Sequence, residues 1–357
     1  MSEARTPLVA ALASIGVLAL ASCGGDDDTS GEGGDTASIK GTEMTFASWG
    51  GEYQAAQKKT MAEPFSDEFG VDILQDGPTD YAKIETQVRA GQVNWDVVDV
   101  DPWFGIAECG TLLEPIDTSI VDTSKMPEEF VSECGVPSMH YSIAQYYDTD
   151  KFAADPPQDW ADFFDPEKYP GKRAVWNDAQ SGLIEAALLA DGVPPDELFP
   201  LDLDRAFAKM DEIKDDLVYW DEGAQSQQMM ESQEVEFVQA WLGRGYSAIE
   251  NGAPYEPVWN QAFDVYDSFV VPKGTENTDA AMKFIAYATG PEAQASLDET
   301  LPYAPINSDA KPNVTKQLAS FLPTNPKIAD QTVVIDQQWW AENRDEAEQR
   351  WTEWVQE

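Results

Sequence analysis

The sequence predicts an α/β fold of two lobes, each a mostly parallel sheet flanked by helices. Three observations carry that expectation. Strand-like and helix-like segments alternate from residue 43 to residue 100. The alternation returns between residues 173 and 288 without repeating the sequence, and acidic and aromatic residues recur where strands should end. A chain of 357 residues with 12 Trp, 12 Tyr and 15 Phe is long enough for two domains and a substantial core.

Met44 and Phe46 alternate with polar neighbours, as in a short strand. A helix-like segment follows through Phe65 and Phe69, interrupted by Pro64. Val71 to Leu74 is a second strand, and Tyr81, Ile84 and Val88 recur at helical spacing. Val97-Val98, within WDVVDV, is apolar enough for a buried third strand. Strand–helix–strand units so closely spaced are the mark of a parallel sheet covered by helices.

In the second half Arg173 to Trp176 reads as a strand and Leu183 to Leu189 as a helix closed by Asp191-Gly192. Asp202 to Leu217 reads as an amphipathic helix. Val235 to Trp241 and Phe263 to Val271 are further strands, the latter stopped by Pro272-Lys273-Gly274. Asn277 caps a helix, Ala280 to Ala288, that Gly290-Pro291 ends. Val333 to Val355 is helical, with Trp339, Trp340, Trp351 and Trp354 at spacings that suit packing.

Residues 1–42 stand apart. Pro7 to Ser22 is an apolar run too short to span a bilayer comfortably, and it ends in small residues, as an export signal does. Leu20-Ala21-Ser22-Cys23 resembles the lipobox of bacterial lipoproteins, in which the cysteine is lipidated and becomes the N-terminus. Residues 24–42 contain almost nothing that can be buried. The expected organisation is a signal peptide over 1–22 and a flexible tether over 23–42. Lipid on Cys23 would hold the folded body at the outer face of a membrane or in the periplasm. In an exported protein Cys109 and Cys134 are expected to pair, a loop closure worth about 3 kcal/mol.

With 22 Lys and Arg against 66 Asp and Glu, the formal net charge is −44. No basic patch exists to neutralise phosphates, which excludes nucleic acid as a partner. The acid is spread along the chain, as in a solvated surface that resists aggregation. Gly50-Gly51 begins neither GxxxxGK[ST] nor GxGxxG, so nucleotide binding has no support. His140 is the single histidine and no GxSxG accompanies it, so neither a hydrolytic triad nor a zinc site is expected. No cofactor or metal is expected. A secreted carbohydrate-active enzyme stays an alternative because paired carboxylates are abundant, although nothing selects a pair.

Open α/β sheets bind ligands outside the carboxyl ends of their strands. Trp49, Glu52 and Tyr53 follow the first strand, and Asp101 and Trp103 follow the third. Asp178 and Ser181 follow Trp176. Trp241, then Gly243-Arg244, ends another strand, and Tyr266 and Asp267 lie in the long one. Carboxylates pair with ammonium groups, while Trp and Tyr faces attract cations and cover methylene chains. A flexible diamine needs an acid at each end and aromatic walls between. The bland alternatives are core packing for each Trp and surface solvation for each Asp.

The motifs FASWGGEYQAA, PFSDEFGVDI, WDVVDVDPWF, DWADFFDPEKYPGKRAVWND, VEFVQAWLGR, VYDSFVVPKGTENTDAAMKFIAYATGPEAQASL and PYAPIN occur in that order. Together they resemble the polyamine-type solute-binding proteins of ABC importers, from about Met44 to about Asn307. The resemblance implies a two-lobe periplasmic-binding-protein-like fold of type II with a ligand cleft between the lobes. Residues 43–143 with 268–306 would form lobe 1, and 144–267 with 307–357 lobe 2. It implies a binding protein without catalysis that captures a small organic cation, such as putrescine or spermidine, and delivers it to an ABC permease.

The family's aromatic–acid opening falls on Trp49, Glu52 and Tyr53, and its polar–aromatic pair on Asp101 and Trp103. The Asp-x-x-Glu that grips an amine falls on Asp178 and Ser181, so the second acid is missing. Trp241 matches a stacking tryptophan, Asp267 the acid that holds an ammonium, and Tyr303 a wall residue. The aromatic expected two residues before that acid is Val265, with Tyr266 beside it. Ferric iron, a sugar or an amino-acid derivative are the alternative ligands, iron because Tyr146 and Tyr147 are adjacent.

Overall fold

The computed structural model describes residues 39–357, so the expected signal segment and Cys23 lie outside the described residues. The first part builds β1 (Glu43–Ala47), α1 (Gly51–Gln57), β2 (Asp72–Asp76), α2 (Tyr81–Ala90), β3 (Val97–Val100) and α3 (Pro102–Ala107). Helix α1 runs on through one wider turn, Lys58–Ala62, into a further helical stretch, Glu63–Phe69. Pro64, which has no N–H to donate, follows directly on that wider turn, so the interruption is a local widening of the helix and not a break. The long strand β4 (Val136–Asp148) follows. Next come β5 (Arg173–Trp176), α4 (Leu183–Ala190), α5 (Leu203–Met210), β6 (Leu217–Trp220), α6 (Gly223–Glu231), β7 (Phe237–Trp241) and α7 (Leu242–Glu250). A second long strand, β8 (Tyr255–Val270), precedes α8 (Thr278–Ala288), α9 (Pro291–Asp298), the two-residue β9 (Val333–Val334) and α10 (Gln337–Gln356).

The strands lie in the order β2-β1-β3-β8-β4-β7-β5-β6, with β9 added to β8. Parallel pairs form the two outer parts of the sheet: β1 with β2 and β3, and β5 with β6 and β7. Each follows from a helical crossover between its strands. Between them β4 and β8 run antiparallel, and these two strands join the lobes. Ser268 to Val270 of β8 pairs with β3, whereas Ile143 to Tyr147 of β4 pairs with β7. The β4–β8 register slips between Ile143 and Gln145, and Gln261 at the slip has φ 65°. A bulge of this kind bends a strand pair where it passes from one lobe to the other.

Three elements differ from the sequence expectation, each for a local reason. The predicted helix Asp202 to Leu217 ends at Met210, and Leu217–Trp220 is strand β6. Over so short a run an apolar LVYW satisfies either period. Strand β8 starts at Tyr255 rather than Phe263, because its first half alternates with exposed polar residues and contains Pro257. Helix α10 begins only after Asp336, whose carboxylate accepts from the Trp339 N–H at 2.9 Å. The tryptophans of α10 pack as expected. Trp340, Trp351 and Trp354 are buried, and their indole N–H groups donate to Glu185, Asn177 and Asp211 at 2.9, 3.4 and 2.7 Å. Cys109 and Cys134 are joined, with Cα atoms 5.3 Å apart. His140 lies in β4 against Asp264, and Tyr147 donates to Glu256 at 2.9 Å.

Candidate functional site

The carboxyl ends of β1, β3 and β7 and the middles of β4 and β8 converge on one small pocket with about 310 Å³ of empty space. Trp49, Tyr53, Tyr141, Trp241 and Tyr303 supply its aromatic walls, and Met139 its apolar floor. Trp49 meets Trp241 edge-on at 5.7 Å, and Tyr53 meets Tyr303 at 5.2 Å.

The charges are arranged asymmetrically. Asp101 and Asp267 line the pocket, and Asp267, 2% exposed, accepts from the Tyr141 hydroxyl at 3.1 Å. The Tyr81 hydroxyl donates to Asp101 at 2.5 Å. Behind them Asp99 is fully buried and accepts from Tyr53, Gln57 and Ser138 at 2.6, 2.7 and 2.8 Å. Burial pushes the carboxyls of Asp99 and Asp101 up to about 6. Asp267 rises well above the usual carboxylate range, through burial first and the charges of Asp99 and Asp101 next. Three crowded acids of this kind favour a cation placed among them.

Arg244 is the cation among the described residues that line the pocket. It stands in the first turn of α7, is 3% exposed, and donates through Nη2 to the Gly50 carbonyl at 3.0 Å. Two glycines make room for it and its neighbour. Gly51 has φ 58°, and a Cβ there would lie 2.7 Å from Arg244 Nη1. A Cβ on Gly243 would lie 2.3 Å from the Tyr303 hydroxyl. The Gly50-Gly51 turn thus lets the end of the first strand meet a guanidinium carried by α7. The walls of the pocket carry a guanidinium and two buried carboxyls together.

The structure brings Trp49, Tyr53, Asp101, Trp241, Asp267 and Tyr303 together in this pocket. The remaining predicted residues stand elsewhere. Glu52 is exposed on the first turn of α1 and lines no part of it. Trp103 lies under the Arg344 guanidinium, 4.6 Å away. Asp178 accepts from Arg344 at 2.8 Å and from the Gln180 N–H at 2.8 Å. Ser181 is buried, and its hydroxyl accepts from the Leu183 N–H at 3.2 Å, in the turn that leads into α4. The amine-gripping positions of the resemblance are therefore an ion pair and a buried turn. Tyr266 stacks on Phe130 at 4.1 Å and lines a second chamber behind Tyr141.

Sequence reasoning placed Arg244 after a strand end without giving it a role, and it missed Arg344, Tyr141 and Asp99 as site residues. Arg244 carried a signal: it directly follows the Trp-Leu-Gly of a strand end, in a chain where basic residues are scarce. Tyr141 shares a face of β4 with Met139 and Ile143, a pattern that needs the strand to be traced first.

Comparison with known proteins agrees with this architecture. Residues 60–329 match the family model of bacterial extracellular solute-binding proteins. The gamma-aminobutyric acid-binding protein of Pseudomonas aeruginosa is 33% identical over 327 residues, covering 89% of this chain and 92% of that one. The solved Atu4243-GABA receptor is 44% identical with a TM-score of 0.81, covering 88% of this chain and 98% of that one. More distantly, spermidine/putrescine-binding periplasmic protein 1 of Haemophilus influenzae is 22% identical over 312 residues, covering 83% of this chain and 84% of that one. The periplasmic-binding-protein-like fold, the span of the family match and the extent of these likenesses lead to one assignment. The chain belongs to the bacterial extracellular solute-binding proteins.

Proposed function

We propose that the protein captures a small zwitterion, a short ω-amino acid such as γ-aminobutyrate, and presents it to an ABC permease. The observation that carries this reading is the placement of Arg244 and Asp267 on the walls of one small aromatic pocket. The carboxylate of the ligand pairs with Arg244, its ammonium with Asp267 and Asp101, and its methylene groups lie against Trp49, Trp241 and Tyr303. Two of the relatives named above carry γ-aminobutyrate in their names, which supports the same ligand class.

A polyamine, the ligand implied by the sequence resemblance, fits these walls less well. A dication there brings one ammonium toward a buried guanidinium, and like charges at close range in a dry pocket repel strongly. The amine-gripping position Asp178 already has Arg344 as its partner. The reading keeps lobe 1 as 43–143 with 268–306 and lobe 2 as 144–267 with 307–357. It also keeps the lipid anchor at Cys23, which rests on the sequence alone.

Calorimetric titration of the folded body with γ-aminobutyrate, putrescine, butylamine and butyrate tests the ligand. γ-Aminobutyrate should bind at least a hundredfold more tightly than either compound lacking one of its charges. Tighter binding of putrescine than of γ-aminobutyrate would overturn the zwitterion.

A further inference from the structure

A second chamber adjoins the pocket. It shares Asp101, Tyr141 and Trp241 with the first. Its own walls include Trp176, Tyr266 and Ile335, and two polar side chains, Gln180 and Glu185. Both are more than nine-tenths buried, at 8% and 1% exposed. Their outward-facing bonds are fixed by α10. Glu185 Oε1 accepts from the Trp340 indole at 2.9 Å, and Gln180 Nε2 donates to Gln337 at 3.3 Å. Glu185 Oε2 and Gln180 Oε1 are left without a hydrogen-bond partner among the described residues.

Two buried acceptors with no donor are costly, about 1–3 kcal/mol each, unless something in the chamber donates to them. These two oxygens call for N–H or O–H groups, and an ionised Glu185 repels carboxylates. Trp176 and Tyr266 add ring faces that favour a cation. Burial pushes the Glu185 carboxyl up to about 7, so an arriving ammonium can ionise it.

We infer that this inner chamber is a second binding subsite, which takes the terminal amine of a ligand extended beyond the outer pocket. The inference rests on the reading of the outer pocket for the position of the acid and of the first ammonium. A ligand of the matching class is an N-aminoalkyl ω-amino acid. Its carboxylate lies at Arg244, its secondary ammonium beside Asp267 and Asp101, and its tail passes Tyr141 and Trp241 to donate to Glu185 and Gln180. With a four-carbon amino acid the same two oxygens are left to water.

The test compares 4-(3-aminopropylamino)butyrate with 4-(propylamino)butyrate, which differs only at the tail end, and with 4-aminobutyrate. The terminal amine should tighten binding at least tenfold over the propyl compound. In Glu185→Gln, which keeps an acceptor for Trp340, that ratio should fall to about threefold or less. Gln180→Leu should lower it in the same direction, and the melting temperature of each variant reports its folding. Exclusion of both N-alkyl compounds, or a ratio unchanged in Glu185→Gln, overturns the inner subsite even where 4-aminobutyrate binds. If 4-aminobutyrate does not bind but the aminopropyl compound does so through Glu185, the outer reading falls and the inner subsite stands.

Discussion

Arg344 donates to Asp178 at 2.8 Å while its guanidinium lies 4.6 Å over the ring of Trp103. One side chain therefore holds the acid that follows β5 and an aromatic of α3. Its helix, α10, is fixed beside β5, α4 and α5 by the three buried indoles that donate to Glu185, Asn177 and Asp211. Arg344 reaches from that anchored helix across to α3, and it also faces Tyr81 at 5.8 Å. It occupies, with the protein's own cation, the place beside Asp178 where the sequence resemblance put a ligand amine.

The clasp has a measurable coupling. Arg344→Ala should lower stability by about 1–3 kcal/mol in a urea titration, because Asp178 is left buried without its partner. A double-mutant cycle with Asp178→Asn should give a coupling of the same order, about 1–3 kcal/mol. Arg344→Lys should recover only part of it, since an ammonium cannot spread over Trp103 as a guanidinium does. A coupling near zero would mean that the pair holds nothing.

Arg244 and Asp267 should control opposite ends of the ligand. Truncating one partner of a buried charge pair costs about 2–5 kcal/mol, equivalent to a loss of roughly 30-fold to several thousandfold in affinity. Arg244→Met should therefore weaken γ-aminobutyrate by at least 30-fold yet leave butylamine no weaker. Asp267→Asn should show the reverse preference, sparing butyrate. Titration of each variant with the three compounds checks this, and equal losses for all three would disconnect the charges from recognition.

Gly51→Ala should act on the same end through space. Its φ of 58° disfavours any side chain, and the new methyl would stand 2.7 Å from Arg244 Nη1. Affinity for γ-aminobutyrate should fall about tenfold or more, with a stability loss of about 1–2 kcal/mol. In the Arg244→Met background the added effect on affinity should shrink to less than threefold. Full additivity would mean that the glycine acts only on its own turn.

Binding should release protons near neutral pH. The free protein holds Asp101 at about 6, so that carboxyl is partly protonated there, and burial moves Asp267 in the same direction. An ammonium favours the ionised acid and draws those values down, which expels protons. Affinity should therefore rise with pH from 5 to 8 and level off above the free-protein values. Calorimetry in two buffers of different ionisation enthalpy measures the proton count directly, and net uptake would contradict the assignment.

All the parallel outer strands but β6 were legible, the clearest as short apolar runs set between helical periods: Met44 with Phe46, Val97-Val98, and Arg173 to Trp176. The joining strand β4 was harder. Its sequence VPSMHYSIAQYYD is neither alternating nor uniformly apolar, although twelve of its thirteen residues are buried. Six residues of the pocket could be read from acid–aromatic strand ends and the family resemblance. The role of Arg244 escaped because it depends on Gly51 and Gly50, nearly two hundred residues earlier in the chain. Arg344 escaped because a helix rich in tryptophan and glutamate reads as a packing face, and only the fold carries it to Asp178.

Asp298 offers a test that is independent of the ligand. It closes α9, is fully buried, and has no hydrogen-bond partner for either oxygen among the described residues. Burial pushes its carboxyl up to about 9, against about 4 in an unfolded chain. Between those values the folded state keeps the proton and the unfolded state does not. Stability must therefore fall as pH rises from about 4 to about 9, and the penalty is absent below that window. Asp298→Asn keeps the shape of the neutral acid and removes the titration. Its stability should match the parent near pH 4 and exceed it at pH 8 by about 1–3 kcal/mol, with a shallower decline between. Urea titrations at pH 4.5, 6 and 8 measure this difference, and a variant less stable than the parent at pH 8 would show that Asp298 is held ionised by a partner.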